Sequence, residues 1–317
     1  NVATAGADFF SGFLPDFFSG MQMAMHRCNH SRARRIFMTG YKREDMTKHL
    51  TFAAGIAAVV CTAGCSDISI DLAGYTESKT IPVSMDFTGV EVEDAIEVIF
   101  SDTMNEAYIE ADANVLPYVE IYEDYRGILT IGYSAGLKMN GNGYFRTIVE
   151  IPYKSNICHL SASGASIISS GRPFIADEFY LNASGASAIY GKEVTADNIT
   201  MELSGAGRIE FDLTETGVLD ICASGASSLS TGGCIDTCNM QLDGGSAMDG
   251  RALYGISGLY IDKCYGSLSG GSTAWFSTDN GTISCSLTGG SHIYYAGNAY
   301  DSSTVSGGSS VESYFGH

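Results

Sequence analysis

The chain has 317 residues, of which 45% are hydrophobic and 17% charged, with 38 Gly, 5 Pro and a formal net charge of −19. That hydrophobic share is enough to build a core and excludes a disordered chain, while so acidic a surface repels phosphate backbones and excludes nucleic acid as a partner. Abundant Gly, scarce Pro and polar positions filled by Ser and Thr favour short strands and tight turns over helices.

Residues 1–45 differ from the rest. The chain opens on Asn1, and Phe9, Phe10, Phe13, Phe17 and Phe18 precede Arg27, Arg32, Arg34 and Arg35. This stretch reads as a non-native leader ahead of an export signal, with a membrane-surface helix as the second reading. Residues 46–65 then give a short basic start (Met46-Thr-Lys-His), an apolar run from Leu50 to Val60 and small residues up to Cys65. That order is a secretory signal peptide, and its apolar stretch is short for a bilayer span. Ala63-Gly64-Cys65 resembles the lipobox of bacterial lipoproteins, although Thr62 stands where Leu is usual. The resemblance implies lipidation at Cys65, outer-membrane sorting from Ser66 and a membrane contact through the lipid; cleavage near Ala63 with an unmodified Cys65 is the alternative. Residues 66–79 follow as an acidic tether. Beyond Cys65 the chain holds 10 Lys+Arg against 32 Asp+Glu, a net of −22. Solubility accounts for this, with cation-dependent adhesion as the sharper alternative.

From residue 80 apolar residues alternate with polar ones, the period of strands. The predicted strands lie at 81–86, around Val90 and Val92, at 96–98, at 108–111, at 119–122 and at 129–133. Glu123-Asp-Tyr-Arg-Gly127 turns the last two into a hairpin. Lys138 to Gly143 reads as a loop, and Ile148 to Pro152 as a strand. Glu91, Glu93 and Asp94 sit close together, as do Glu106, Glu110 and Asp112. With no basic residue beside them in sequence to split their pKa values, they read as solvated strand faces rather than paired acids.

The rest is organised by one phrase in eight copies, from Ser163-Gly-Ala-Ser166 to Ser306-Gly-Gly-Ser309, with leading glycines 21, 20, 20, 19, 26, 19 and 18 residues apart. A period near twenty means one unit stacked on copies of itself. Aligned on the Gly, the positions six, four and two before it and four after it are nearly all apolar. Alternate residues of a strand share a face, so these columns point inward. The Gly marks a corner where Gly supplies the turn and only Ala or Gly has room to follow. The Ser in the fourth place of every copy but the third, where Gly207 stands, forms a hydroxyl column. The expected fold is all-β: a right-handed parallel β-helix, or β-solenoid, of ~20-residue coils forming a single domain over 80–317. The long step predicts a surface loop between Arg251 and Gly258.

These features carry a resemblance. Phe87-Thr-Gly-Val-Glu-Val, a following Ile-x-Val strand, Gly127-Ile-Leu-Thr-Ile-Gly-Tyr133, an Ile-Pro strand end and the Leu-x-x-Ser-Gly-Ala-Ser ladder resemble the head-GIN-domain family of "putative auto-transporter adhesins". The resemblance covers roughly 80–317 and implies a parallel β-helix on a secreted, often lipid-anchored protein, with no catalytic residues to carry over. The chain itself offers no phosphate loop, nucleophile elbow or paired metal motif, so no catalytic residue, cofactor or metal is expected. Cys238 and Cys264 share an inward column and could bridge; Cys234 and Cys238 lack partners at zinc spacing. Trp275, Phe276, Tyr294 and Tyr295 fall on neighbouring copies, either stacked on the fold or forming a sugar platform. The expected function is an exported, lipid-anchored adhesin or scaffold of the cell envelope whose partner is a glycan or a cell-surface protein. A carbohydrate-active enzyme on the same fold is the alternative.

Overall fold

A computed structural model of the chain describes residues 68–141, 146–251 and 258–314. The leader, the export signal and Cys65 lie outside them, as do residues 252–257 of the expected loop. The described residues are about 64% strand and hold only one 3-10 turn, Leu116–Tyr118, and no α-helix, so the class is all-β as expected.

The first strands are β1 (Ile68–Asp71), β2 (Thr76–Ile81), β3 (Gly89–Val92), β4 (Ile96–Ser101), β5 (Ala107–Asp112), β6 (Val119–Glu123), β7 (Ile128–Tyr133), β8 (Leu137–Asn140) and β9 (Thr147–Pro152). The repeats supply β10 (His159–Ala162), β11 (Ile167–Ser170), β12 (Phe174–Ile175), β13 (Glu178–Ala183), β14 (Ala188–Thr195), β15 (Asn198–Leu203), β16 (Arg208–Ala223) and β17 (Ser228–Leu242). They continue as β18 (Ala247–Asp249), β19 (Leu259–Leu268), β20 (Thr273–Leu287), β21 (His292–Asp301), β22 (Thr304–Val305) and β23 (Ser310–Ser313).

Two runs of parallel pairs organise these strands. One run passes β7–β3–β10–β13–β15–β16–β17–β19–β20–β22. The other passes β9–β4–β11–β14–β16–β17–β18–β20–β21–β23. Corresponding positions of successive copies are Cα partners, as in Leu160↔Leu181 and Ile168↔Ile189. Long strands such as β16 and β17 belong to both runs, so β17, β18, β20 and β19 close a ring of four through their pairings.

The inward columns are those expected. Phe179, Ile199, Leu219, Cys238, Cys264 and Ile283 form one buried file, and Ile168, Ile189, Ile209, Leu229, Met248, Ala274 and Ile293 another. The last copy breaks the pattern with exposed Asp301 and Val305. An aromatic cluster fills the interior early in the repeats: Phe174 lies 5.3 Å from Phe100, 5.7 Å from Phe179 and 6.4 Å from Phe211 between ring centres.

The corners rest on glycine geometry. Gly164, Gly185, Gly205 and Gly225 have φ of +73, +76, +71 and +80. Ala186, Ala206 and Ala226 each donate a backbone hydrogen bond of 2.7 Å to the leading Gly of the copy before. The hydroxyl column is buried at Ser166, Ser187, Ser227, Ser246, Ser272 and Ser291. These hydroxyls mainly donate to backbone carbonyls: Ser166 to Ser163 at 2.7 Å, Ser187 to Ala162 at 2.9 Å, Ser272 to Ser269 at 2.7 Å. Among the described residues, the one hydroxyl-to-hydroxyl contact along the column is that of Ser246 with Ser272, at 3.5 Å.

The first strands depart from the expected pattern in three places. Antiparallel pairs β2–β5, β5–β9 and β6–β7 stand beside the parallel runs. The expected strand at 81–86 is absent because the ladder ends at Ile81: Pro82 has no N–H to donate, and Ser84 Oγ accepts the Asp86 N–H in a turn. The expected loop at Lys138–Gly143 begins as β8, which pairs in parallel with β1, and Asn140 Nδ2 donates to Ser69 Oγ at 2.7 Å. Strand β1 and most of β2 thus lie within the stretch read as a tether.

One buried carboxylate fastens this start. Asp112 accepts N–H donors from Ala73, Gly74 and Asn114, each at 2.9 Å. Burial disfavours its charge, but these backbone donors and that of Val115 outweigh burial and hold the carboxyl below its usual range. A depressed folded pKa gives stability that is present above the unfolded value, about 3.9, and is lost as pH falls through the folded one. Asp112→Ala is expected to cost roughly 2–4 kcal/mol at neutral pH by orphaning several donors. Urea midpoints compared at neutral pH and below pH about 4 should show the deficit of the variant shrinking in acid; a constant deficit would refute the assignment.

Candidate functional site

Two outward faces could carry function. On the first, a vertical stack joins the copies around the long step. Arg251 lies 4.5 Å over the ring of Trp275 while Asp249 grips its guanidinium at 2.9 and 2.7 Å. Tyr294, from the following copy, stacks on Trp275 at 4.1 Å, and Tyr314 meets its edge at 5.2 Å. Both faces of the indole are therefore covered, one by the preceding copy and one by the next. Of the four aromatics singled out in the sequence, Phe276 is buried and Tyr295 half-buried in the interior column, while Trp275 and Tyr294 stack outside. Sugar stacking needs a free ring face, so this ladder is a clasp between copies rather than an open platform. Gly250 accepts the Leu259 N–H at 2.7 Å, so the chain leaves and rejoins the stack at one point around the long step.

The second face is the outer side of the run from β7 to β20, where two outward columns stand side by side. In one, His159, Tyr180, Thr200, Asp220, Asn239 and Tyr265 are successive Cα partners. In the other, Glu91, Ser161, Asn182, Glu202, Cys222, Gln241 and Ser267 are. Side chains at these positions point away from the core because their neighbours in each strand point into it.

At the upper end His159 Nε2 lies 3.2 Å from Glu91 Oε1, and Arg126 from the β6–β7 turn reaches the same oxygen at 3.3 Å. The imidazole stacks on Tyr180 at 4.9 Å. Burial pulls its pKa below the ordinary value against the attraction of Glu91. No base stands beside Glu91 in the sequence, because His159 and Arg126 are distant along the chain and only strand stacking joins them. Asp94 proves to be a corner residue: its φ is +71, and a Cβ at Gly164 would fall 2.6 Å from its carbonyl oxygen.

Below this cluster the face opens into a groove of ≈ 340 Å³. Tyr180 stands just above its upper end, next to Glu202 of the lining. Its hydroxyl donates to Glu202 at 2.6 Å, and burial, reinforced by that carboxylate, pushes its pKa up to about 12. Tyr265 lines the lower end and is 39% exposed. Between them the floor carries short polar groups: Thr200, Asp220 and Asn239, with Asn239 Nδ2 donating to Asp220 at 2.8 Å. The carboxylates of Glu202 and Asp220 are held by neutral donors.

The cysteines among the described residues form no site. All six in the described residues are free. The expected Cys238–Cys264 pair are Cα partners, but the close sulfurs are those of Cys264 and Cys285, at 3.8 Å. Cys285 faces Gly266, two residues on from Cys264, a diagonal of ~8 Å between Cα atoms and beyond disulfide reach. Cys234 is exposed and Cys238 buried, so they face opposite ways. Among the described residues no group of three His, Cys, Asp or Glu side chains could hold a metal ion.

Comparisons with known proteins bear on these faces. A family model described as "Putative auto-transporter adhesin, head GIN domain" matches residues 86–299. Crystal structures of similar fold include a "putative adhesin" from Parabacteroides merdae, 19% identical with a TM-score of 0.66, covering 78% of this chain and 99% of that one. A "putative lipid binding protein" from Parabacteroides distasonis is 14% identical with a TM-score of 0.60, covering 78% and 100%. A "putative adhesin" from Bacteroides fragilis is 12% identical with a TM-score of 0.55, covering 77% and 100%. At these identities the likeness is one of fold. No curated protein matches the chain.

Proposed function

The chain belongs to the head GIN domain family, and on that premise we propose that it is an exported, lipid-anchored adhesin of the cell envelope that binds without catalysis. The family name and the adhesin names of structural neighbours support a place at the cell surface or envelope. The lipobox-like Ala63-Gly64-Cys65 supports an anchor at Cys65 and outer-membrane sorting. Parallel in-register copies about twenty residues apart support a right-handed β-helix. Eight copies at the strand spacing would make a rod of roughly 38 Å standing off the membrane.

The observation that carries the reading is the outward face of the β7–β20 run. It presents hydroxyls, amides and tyrosines in straight files, an arrangement suited to contact along a length rather than to chemistry at a point. A carbohydrate-active enzyme is the second reading, favoured by the convergence of Glu91, Arg126 and His159. It is the weaker one because His159 is covered by Tyr180 and Glu91 is engaged by Arg126. The other neighbour's name makes a lipid a competing ligand.

Binding to a glycan and cell-surface array, with turnover assayed on every hit, is the deciding experiment. Binding without turnover is expected; turnover would sink the adhesin reading. In parallel, Cys65→Ala is expected to abolish labelling by a fatty-acid probe and release the protein from membranes, and retention of both would refute the anchor.

A further inference from the structure

We propose that the groove running from Thr200 and Glu202 to Tyr265 binds a neutral, linear oligosaccharide lying along the stacking direction, with Tyr265 as its stacking platform. The inference rests on the adhesin reading and names the class of ligand.

Tyr180 and Tyr265 occupy the same outward column with Thr200, Asp220 and Asn239 between them. Four strand spacings separate them, ~19 Å, and the short side chains between them floor a trough that ends at the Tyr265 ring. Trp275 has both faces covered, whereas Tyr265 has no ring partner among the described residues and is 39% exposed. An exposed ring beside hydrogen-bonding groups offers an apolar surface to the C–H face of a sugar and polar groups to its hydroxyls.

The polar groups fit hydroxyls rather than charges. Asp220 is bound by the Asn239 amide and Glu202 by the Tyr180 hydroxyl. Each carboxylate keeps acceptor capacity for a sugar O–H, while the Asn239 carbonyl and exposed Gln241 add both donors and acceptors. Two carboxylates and no Lys or Arg line the groove. That charge repels uronates, sulfated sugars, sialosides and phospholipid headgroups. A cationic peptide would find attraction, but the floor's carboxylates are already hydrogen-bonded, and the exposed tyrosine and amides match a saccharide better.

The test uses the full chain titrated calorimetrically with short gluco-, manno- and galacto-oligosaccharides, a uronate oligomer and a lysine oligomer. At least one neutral oligosaccharide is expected to bind, with an affinity nearly independent of salt. Tyr265→Ala should weaken it about tenfold or more, Tyr265→Phe should retain it, and Asn239→Ala should weaken it. Thr273→Ala, on the other outward face, should leave it unchanged. Denaturation midpoints of the variants show whether each is folded; Gln241→Ala, whose exposed side chain supports no core contact, replaces any that is not. Binding of neutral sugar unaffected by Tyr265→Ala and Asn239→Ala would overturn the groove assignment while leaving the adhesin reading intact. Binding only of the lysine oligomer, lost in high salt, would overturn the neutral-saccharide assignment. No binding of any probe, together with no adhesion of protein-coated beads to cells, would overturn the adhesin reading itself.

Discussion

Gly225→Val is expected to destabilise the fold by about 3–5 kcal/mol, from backbone strain and a clash between stacked copies. The residue has φ +80, a region where an L side chain is strained. A Cβ there would lie 2.5 Å from the carbonyl oxygen of Gly205 and 3.0 Å from its nitrogen. Neither atom can yield without parting the corners, because the same carbonyl accepts the Ala226 N–H. Gly271 is the contrast. Its φ is +90, yet nothing lies within 4 Å of an added Cβ, so Gly271→Ala should cost only the conformational strain, roughly 1 kcal/mol. Urea denaturation followed by circular dichroism gives both numbers. Equal losses at the two positions would show that stacking contributes nothing at the corner.

That contrast also marks how far the repeat could be read. The leading glycines were legible as corners because a fixed step carried them. The reason for the second residue was not. Space appeared to restrict it to Ala or Gly, yet Gly271, Gly290 and Gly308 have open space and positive φ. There the backbone demands glycine, and the Ala copies take another turn at the same place. The inward columns were legible at nearly every position because burial acts residue by residue on a period of two. The antiparallel pairs at the start were not, since alternation reveals a strand without its partner.

The candidate site was less legible than the fold. Tyr265, Asn239 and Asp220 are 26 and 19 residues apart in turn, and nothing in their local sequence distinguishes them from solvated polar positions. Register alone brings them into one file. The signal was available in the alignment of copies, where the outward column five before each Gly holds Tyr180 and Tyr265 with short residues between. Trp275 and Tyr294 are the more conspicuous pair in sequence, but their mutual stacking consumes the faces a ligand would need. The His159–Glu91 contact was out of reach because strand β3 and strand β10 meet only through the fold.

Phe211→Ala is expected to cost about 3–5 kcal/mol, the usual effect of truncating a fully buried phenylalanine. Phe211 is wholly buried, and its ring lies 6.4 Å from that of Phe174. The sequence also shows what makes room for it. Gly191, in the preceding copy, has ordinary φ, but a Cβ there would fall 1.7 Å from Cε1 of Phe211. The glycine is kept for space, and the ring fills what a side chain at 191 would occupy. Gly191→Ala alone should therefore cost roughly 1–3 kcal/mol by overpacking. In the double variant the methyl enters the cavity left by Phe211→Ala, so the combined loss should fall below the sum of the single losses by about 1 kcal/mol or more. The four denaturation curves of this cycle measure the coupling directly. Simple additivity would mean that Phe211 does not occupy the space over Gly191, and that the two copies are packed differently from the arrangement described.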